Sequence, residues 1–367
     1  MNSKIIVIIA ALALVVPLSF AVIGDGSDAA DNITVTDGTG TTVTISEPAD
    51  KVVTIGKGVT SIAINLGCLD KIVVCDKYSY SATEEIFSDL KTYVDEGKIT
   101  AGGSTYSSGL EQLETEVVDA ADPETGSFDK ETDALILTGT ESAITTLKEY
   151  FSGLGFKVIL CWYNATDYDD VLACAEAISK VLTGSVADSV EQMNKVVDYI
   201  ADKIESSGTE VADAFYITWS SSNWKVGNTG SLGSSLITIA GGKSVTVDSS
   251  IDTTTYNANP TEVIDVFGTD TIIFADNSIA GNAERLAQLQ AAVPGVTIVA
   301  LESLWNNYSI ESIEGVWTMA CAMYPDLFEG DVPVIGSNSD NTMIYVVAGI
   351  VVVIAVVGIA VFMMRKP

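Results

Sequence analysis

Residues 51–75 read KVVTIGKGVTSIAINLGCLDKIVVC, and the fold turns on them. The run 51–55 is short, apolar and rich in β-branched residues, and it closes on Gly56-Lys57-Gly58. Residues 59–66 carry apolar side chains at helical spacing and stop at Gly67, and 71–75 is apolar again. Brief apolar runs bounded by glycine suit strands buried on both faces, and a helix between two such strands is the unit of a parallel α/β sheet. Ligands bind these sheets at the loop tips beyond the carboxyl ends of the strands, here 56–60 and 76–81.

The pattern extends in both directions. Upstream, ITVTD-GTG-TTVTI at 33–45 alternates threonine and apolar residues around a Gly-rich turn, the signature of a hairpin, and Pro48 ends it. Downstream come a strand at 134–137, a helix near 143–154 and a strand at 157–160. Residues 167–206 are helical in period: Val171, Ala175, Ile178 and Leu182 recur on one face, then Val190, Met193, Val197 and Ile200. Thr183-Gly184 interrupts the run, which therefore reads as two helices in line or one with a bend. A second α/β set follows, with strands at 214–218, 271–274 and 297–300 and helices at 234–240 and 309–323.

A loose internal repeat supports two like lobes. Ala101-Gly-Gly, Glu111-Gln-Leu and Asp133-Ala-Leu-Ile-Leu find counterparts in Ala240-Gly-Gly, Glu262-Val-Ile and Asp270-Thr-Ile-Ile-Phe, in the same order at different spacings. The expected division is an N-terminal lobe at 33–166, a bridging helix at 167–207, a C-terminal lobe at 208–328 and a polar linker at 329–342 (EGDVPVIGSNSDNT).

The two ends point to a membrane. Residues 343–364 are 22 uncharged, mostly apolar residues followed by Arg365 and Lys366. That length spans about 30 Å as a helix, and the basic flank predicts a cytoplasmic C-terminus with the rest outside. Residues 1–24 resemble a secretory signal, with an uncleaved N-terminal anchor as the alternative. The net charge of −31 argues against nucleic acid and anionic lipid as partners and is of a kind frequent in archaeal envelope proteins. Histidine is absent, which removes Ser-His and Cys-His catalysis and imidazole-bound zinc. The five cysteines lack CxxC spacing, and Cys161 and Cys174 read as small core residues more readily than as a disulfide. Asn32, Asn164 and Asn307 lie in Asn-X-Ser/Thr sites, which suit an exterior chain.

The stretch VTDGTGTTVTISEPADKVVTIGKGVTSIAINLGCLDKIVVCDKYS, followed by AGGSTYSSGLEQL, SLGSSLITIAGGKSV and NPTEVIDVFGTDTIIF in that order, resembles the solute-binding proteins of ABC importers for ferric siderophores, haem and cobalamin. The resemblance covers about 33–328. It implies two α/β lobes with mostly parallel sheets bridged by one long helix, a metal chelate held in the cleft between them, no catalysis and no resident cofactor. It further implies a monomer that docks on a permease through one glutamate per lobe, by motif position Glu111 and Glu262. Two departures qualify it: residues 116–133 replace the family's short connection after the first glutamate, and Thr183-Gly184 breaks the bridging helix.

Flat chelates are gripped by aromatic faces and a few polar groups. The expected cleft set is Lys57, Tyr78, Tyr80, Tyr106, Trp219, Trp224, Tyr256, Trp305 and Tyr308, with Lys77 and Lys225 on the same loops. Two other functions fit the composition less well. One is an envelope adhesion or scaffold protein with the fold but no ligand, marked by inward-packed aromatics. The other is a metallocluster enzyme, which needs clustered cysteines that this chain lacks.

Overall fold

The computed structural model describes residues 32–335 apart from 106–108, 122–127, 131, 140, 163–166, 229 and 248–252. Tyr106, Asn164, the apolar segments 1–24 and 343–364 and most of the 329–342 linker lie outside these residues. No helix among the described residues is long and apolar enough to cross a membrane.

The chain opens with the hairpin β1 (Ile33–Thr36) and β2 (Thr42–Ile45), paired Val35 to Val43 across the turn. Strand β3 (Val52–Ile55) is buried along its whole length, runs into α1 (Lys57–Asn65), and returns as β4 (Ile72–Asp76), equally buried. Then come α2 (Lys77–Tyr80), α3 (Ser88–Asp95), β5 (Thr100–Gly102), α4 (Leu110–Ala120), β6 (Ala134–Gly139), α5 (Glu141–Gly153) and β7 (Lys157–Trp162). The five strands β3 to β7 form one sheet in the order β5-β4-β3-β6-β7, every pair parallel. Parallel strands need both faces covered, which is why β3 and β4 read as unbroken apolar runs.

The region read as one bridging helix is two helices, α6 (Tyr168–Thr183) and α7 (Asp188–Ser207). Gly184 ends α6 in the left-handed region at φ 86°, where a side chain would be strained. The Ser179 hydroxyl holds the turn, donating to the Ser185 carbonyl and accepting the Ala187 N–H. Asn194 donates to Glu176 across the bend at 3.2 Å. In a straight helix those residues stand about 27 Å apart, so the helices fold back on each other. Only α6 bridges. It packs on α1 and β1 on one side and on the C-terminal lobe on the other, where Tyr168 donates its N–H to Ser235 and shares a hydroxyl bond with Ser312.

The second lobe contains β8 (Asp213–Ser220), β9 (Asn223–Gly227), α8 (Leu232–Ile239), β10 (Lys243–Ser244), β11 (Thr255–Asn257), α9 (Pro260–Phe267), β12 (Ile272–Ala275), α10 (Asn277–Ala280), α11 (Ala283–Ala292), β13 (Ile298–Ala300) and α12 (Ser312–Met323). Its sheet runs β11-β9-β8-β12-β13, with β10 beside the start of β8. The β8–β9 hairpin is antiparallel, and Ser221 and Ser222 at its tip have positive φ. Helix α7 packs against α8 and α12 of this lobe.

A single apolar cluster runs through α1, α6, α7, α8 and α12 and is shared by both lobes, while the far face of each sheet has a cluster of its own. Two expectations are corrected here. Cys161 and Cys174 form a disulfide, Cα atoms 5.6 Å apart, that ties β7 to α6; α6 packs against β7 and so brings two cysteines with apolar neighbours face to face. The linker does not begin at 329. Residues 329–335 dock on the lobe: Trp317 donates to the Gly330 carbonyl, and the Gln192 amide both accepts from and donates to the Ile335 backbone. Val332 and Ile335 are the apolar residues that hold the segment down.

Candidate functional site

At the carboxyl edge of the first sheet, Asp76 ends β4 and caps α2. Its buried carboxylate accepts the N–H groups of Gly56, Tyr78 and Ser79, and the Ser79 hydroxyl. Burial pushes this carboxyl up against the pull of those donors. Thr60 extends the network, linking Ser79 to Thr54. The loop 56–58 is thereby fixed where it meets the other lobe. Lys57 pairs with Glu84 and donates to Ser303 of the C-terminal lobe at 2.8 Å, and Asn65 donates to Glu311 at 2.7 Å. A Cβ on Gly58 would stand 2.2 Å from the Tyr308 carbonyl oxygen, so only glycine allows α1 to approach this closely.

The second sheet repeats the device. Asp276 follows β12 and caps the one-turn helix α10, accepting from the Ser278 N–H, the Tyr216 hydroxyl and the Thr218 hydroxyl. Asn306 Nδ2 donates to the Tyr216 oxygen at 2.7 Å. Beside this network lies a cavity of about 200 Å³, lined by Tyr216 and Thr218 of β8, the start of α8 at 231–233, Thr254, Thr255 and residues 306–308. The lining mixes hydroxyl, amide and backbone groups with the apolar surface of Leu232 and the tyrosine rings.

Strand parity sorts the expected residues. Alternate side chains of β8 leave opposite faces of the sheet. Phe215 and Ile217 belong to the outer apolar cluster with Val226 of β9, and Trp219 and Trp224 pack against it. Tyr216 and Thr218 face the cavity. The two tryptophans meet edge to face at 4.9 Å, with Arg285 of α11 5.2 Å from the Trp219 ring. They are therefore half-buried rim residues on the face away from the cavity, because their same-parity neighbours, Ile217 in β8 and Val226 in β9, are core.

Tyr256 is corrected outright. It is buried in the second lobe, where its hydroxyl accepts from Thr246 and the Val247 N–H. Trp305 is buried too and donates to Glu314, whose carboxyl is raised by burial. Tyr308 is 1% exposed, yet among the described residues it is the member of the aromatic set that lines the cavity. Tyr78 and Tyr80 are 43% and 37% exposed, the first with Lys77 5.1 Å from its ring, the second donating to Asp95. Lys57 is spent on Glu84 and Ser303, as above.

Glu111 and Glu262 are exposed, each in the first turn of its helix, α4 or α9. Helix α4 follows β5, which is parallel to β4. Strand β11 is antiparallel to β9, itself antiparallel to β8, so α9 also starts at the carboxyl edge of its sheet. The two glutamates thus hold equivalent places, whereas Asp133 before β6 is buried and Asp270 before β12 is exposed. The Ala-Gly-Gly pieces are not equivalent, since 101–103 leaves a strand and 240–242 leaves a helix. Missing from the sequence-derived set are Tyr216, Thr218, Asp276 and Asn306. Alternation along DAFYITWS signals the first two, and the shared strand–Asp–short helix pattern of IVVCDKYSY and IIFADNSIA signals Asp276.

No protein-family model and no curated protein sequence matches this chain. Solved structures do. The TroA-like periplasmic binding protein FepB of Veillonella parvula aligns at TM-score 0.59 and 15% identity, over 81% of this chain and 91% of its own. The periplasmic catecholate-siderophore binding protein VctP of Vibrio cholerae aligns at 0.58 and 16%, over 79% and 99%. The periplasmic vitamin B12 binding protein BtuF of the same organism aligns at 0.51 and 15%, over 76% and 98%. At this level of identity the alignments show a shared fold: the chain folds as these periplasmic binding proteins do.

Proposed function

We propose that the chain is an extracellular solute-binding protein that captures a metal chelate, a ferric siderophore, haem or cobalamin, between its lobes and delivers it to an ABC permease. The observation that carries this reading is the pairing of Glu111 and Glu262. They are exposed carboxylates at the same edge of two equivalent sheets, on a fold whose solved neighbours are binding proteins for such chelates. Two separated anionic anchors fix orientation on a basic partner surface, and each sits at the positive end of its helix. The lobes share a continuous core through α6, so docking would present both glutamates as one rigid gauge. The apolar segment 343–364 with its basic flank would tether the protein to the membrane, and residues 1–24 would export it. In this role the protein binds as a monomer and performs no chemistry of its own.

A second reading keeps the fold without the ligand, as an envelope scaffold. Its support is specific: Tyr256, Trp305 and Tyr308 are packed inward, and the cavity is smaller than the ~300–1,000 Å³ of pockets that enclose whole small ligands. Calorimetric titration of the full chain with cyanocobalamin, haemin and ferric siderophores separates the two. Saturable binding of one class supports capture. Absence of binding to every member by the folded protein rejects it in favour of the scaffold.

A further inference from the structure

A valine exposed on a helix does little for the fold: it hides no core surface, and its β-branched side chain makes it a poorer helix former than alanine or leucine. Among the described residues, two large aliphatic side chains of helices are exposed, Val118 of α4 at 40% and Val266 of α9 at 65%. Each stands on the helix of one of the paired glutamates. Val118 follows Glu111 by seven residues and Val266 follows Glu262 by four, and both spacings put two side chains on one helix face. Thr115, between Glu111 and Val118 on that face of α4, is exposed as well, while Leu113 and Val117 turn into the core. On α9 the exposed residues are Glu262, Asp265 and Val266, and Val263 is buried. One exposed valine alone would mean nothing. The same acid-then-valine stripe on helices that hold equivalent places in two lobes is a repeated surface.

Charge narrows the partner. Helix α4 carries Glu111, Glu114, Glu116 and Asp119, α9 carries Glu262 and Asp265, and neither helix has a Lys or Arg. No ion pair among the described residues takes up Glu111 or Glu262. A second copy of the chain would set like charge against like, and an anionic lipid surface would be repelled in the same way. A basic protein surface is complementary. Exposed charge pairs steer and orient but add little affinity once salt screens them, whereas an apolar side chain contributes in proportion to the area it hides. We propose that each lobe presents a docking stripe, Glu111 with Val118 and Glu262 with Val266, to a protein surface that sets a Lys or Arg beside an apolar patch. This rests on the reading of delivery to a permease and deepens it: the glutamates orient the complex and the valines hold it. The partner therefore reaches beyond the helix starts, roughly 10 Å along α4 and roughly 6 Å along α9.

The test is uptake by cells whose only copy of the protein is the variant. The cells are fed radiolabelled cyanocobalamin, haemin, a ferric hydroxamate and a ferric catecholate in turn, and the chelate affinity and Tm of each purified full chain are measured beside them. Val118→Ser and Val266→Ser should each lower uptake about fivefold, and the two together roughly tenfold or more. Chelate affinity and Tm should stay within error, since both sites are exposed. Val118→Leu and Val266→Leu keep the apolar surface and should retain most of the uptake. Val211→Ser is the control: Val211 is 53% exposed, lies on neither helix, and should leave uptake at the wild-type rate. If Glu111→Arg with Glu262→Arg abolishes uptake while the serine pair does not lower it, the stripe is overturned and delivery stands. The stripe also falls if the serine pair acts while the glutamate reversal does not, or if Val211→Ser costs as much. Uptake that ignores glutamates and valines alike, or that wild type lacks for every chelate, overturns the stripe and the delivery reading together.

Discussion

Gly58→Ala sets two effects of opposite sign against each other. Alanine is the better helix former by about 1 kcal/mol, and Gly58 lies in the first turn of α1. Its new Cβ, however, would stand 2.2 Å from the Tyr308 carbonyl oxygen and 2.7 Å from Asn307 Oδ1. The first is over an ångström short of van der Waals contact, and both partners belong to the other lobe. Moving α1 and 307–308 apart by about 1 Å would stretch the 2.8 Å Lys57–Ser303 bond to about 3.8 Å, beyond hydrogen-bonding range. Overpacking costs about 1–3 kcal/mol and the lost bond about 1 kcal/mol. Against the propensity gain, the net is a destabilisation of about 2 kcal/mol, a fall in Tm of roughly 4 °C. Gly153→Ala is the control, because it ends α5 with open space where the Cβ would go. It should be neutral or raise Tm by one or two degrees (about 0.5 kcal/mol). Thermal unfolding by circular dichroism reads both. If Gly58→Ala is as stable as wild type, propensity has won and the lobes do not meet as tightly as the Gly58–Tyr308 approach requires.

Three further outcomes are expected. Asp37 is buried and takes Lys148 at 2.6 Å together with the Thr39, Thr41 and Leu160 N–H groups. Burial raises its carboxyl, but Lys148 and the Thr39 and Thr41 donors bring it below its ordinary value. A lowered folded pKa contributes stability that is full above about pH 4 and lost as pH falls through the folded value. Lys148→Met should therefore cost about 3 kcal/mol at neutral pH and progressively less toward pH 2, measured by urea unfolding across that range. The Cys161–Cys174 disulfide closes a loop of 13 residues' separation, so the double Cys→Ala variant should lose about 3 kcal/mol and reductant should shift wild-type Tm to match. Reversing both docking charges, Glu111→Arg with Glu262→Arg, should leave Tm and chelate affinity within error, since exposed sites change stability by less than about 0.5 kcal/mol, and should abolish chelate uptake in cells. Retained uptake refutes the docking role.

The lobes were legible in the sequence because buried parallel strands announce themselves: 51–55, 71–75 and 134–137 are apolar without alternation, and each is a strand. That Glu111 and Glu262 sit at helix starts was legible because such starts carry local signals, Pro260 at the first helical turn among them; their docking role came from the resemblance alone. The bend at Gly184 showed as an interruption, but its sharpness depends on Ser179 reaching across to Ser185 and Ala187, a contact no periodicity encodes. The disulfide was not legible, since pairing depends on how α6 packs against β7. Nor was the docking of 329–335, where Gly, Asp and Ser composition looks like linker while Val332 and Ile335 find a groove on the core.

Trp219 and Trp224 lie off the cavity for a physical reason. Position at a strand end places a residue near the cleft, but the pleat decides which face it serves, and one residue of offset reverses the answer. Trp219 shares parity with Phe215 and Ile217, which are core, so it goes outward; Thr218, its neighbour, goes to the cavity with Tyr216. The conspicuous rings thus brace the outer face of the hairpin, and the polar side chains between them form the wall a ligand would meet. A chelate held mainly by stacking would be blind to the charge of its arms. One held against Tyr216 and Thr218 meets a polar wall, whose geometry is set by two hydrogen bonds, Tyr216 to Asp276 and Asn306 to Tyr216.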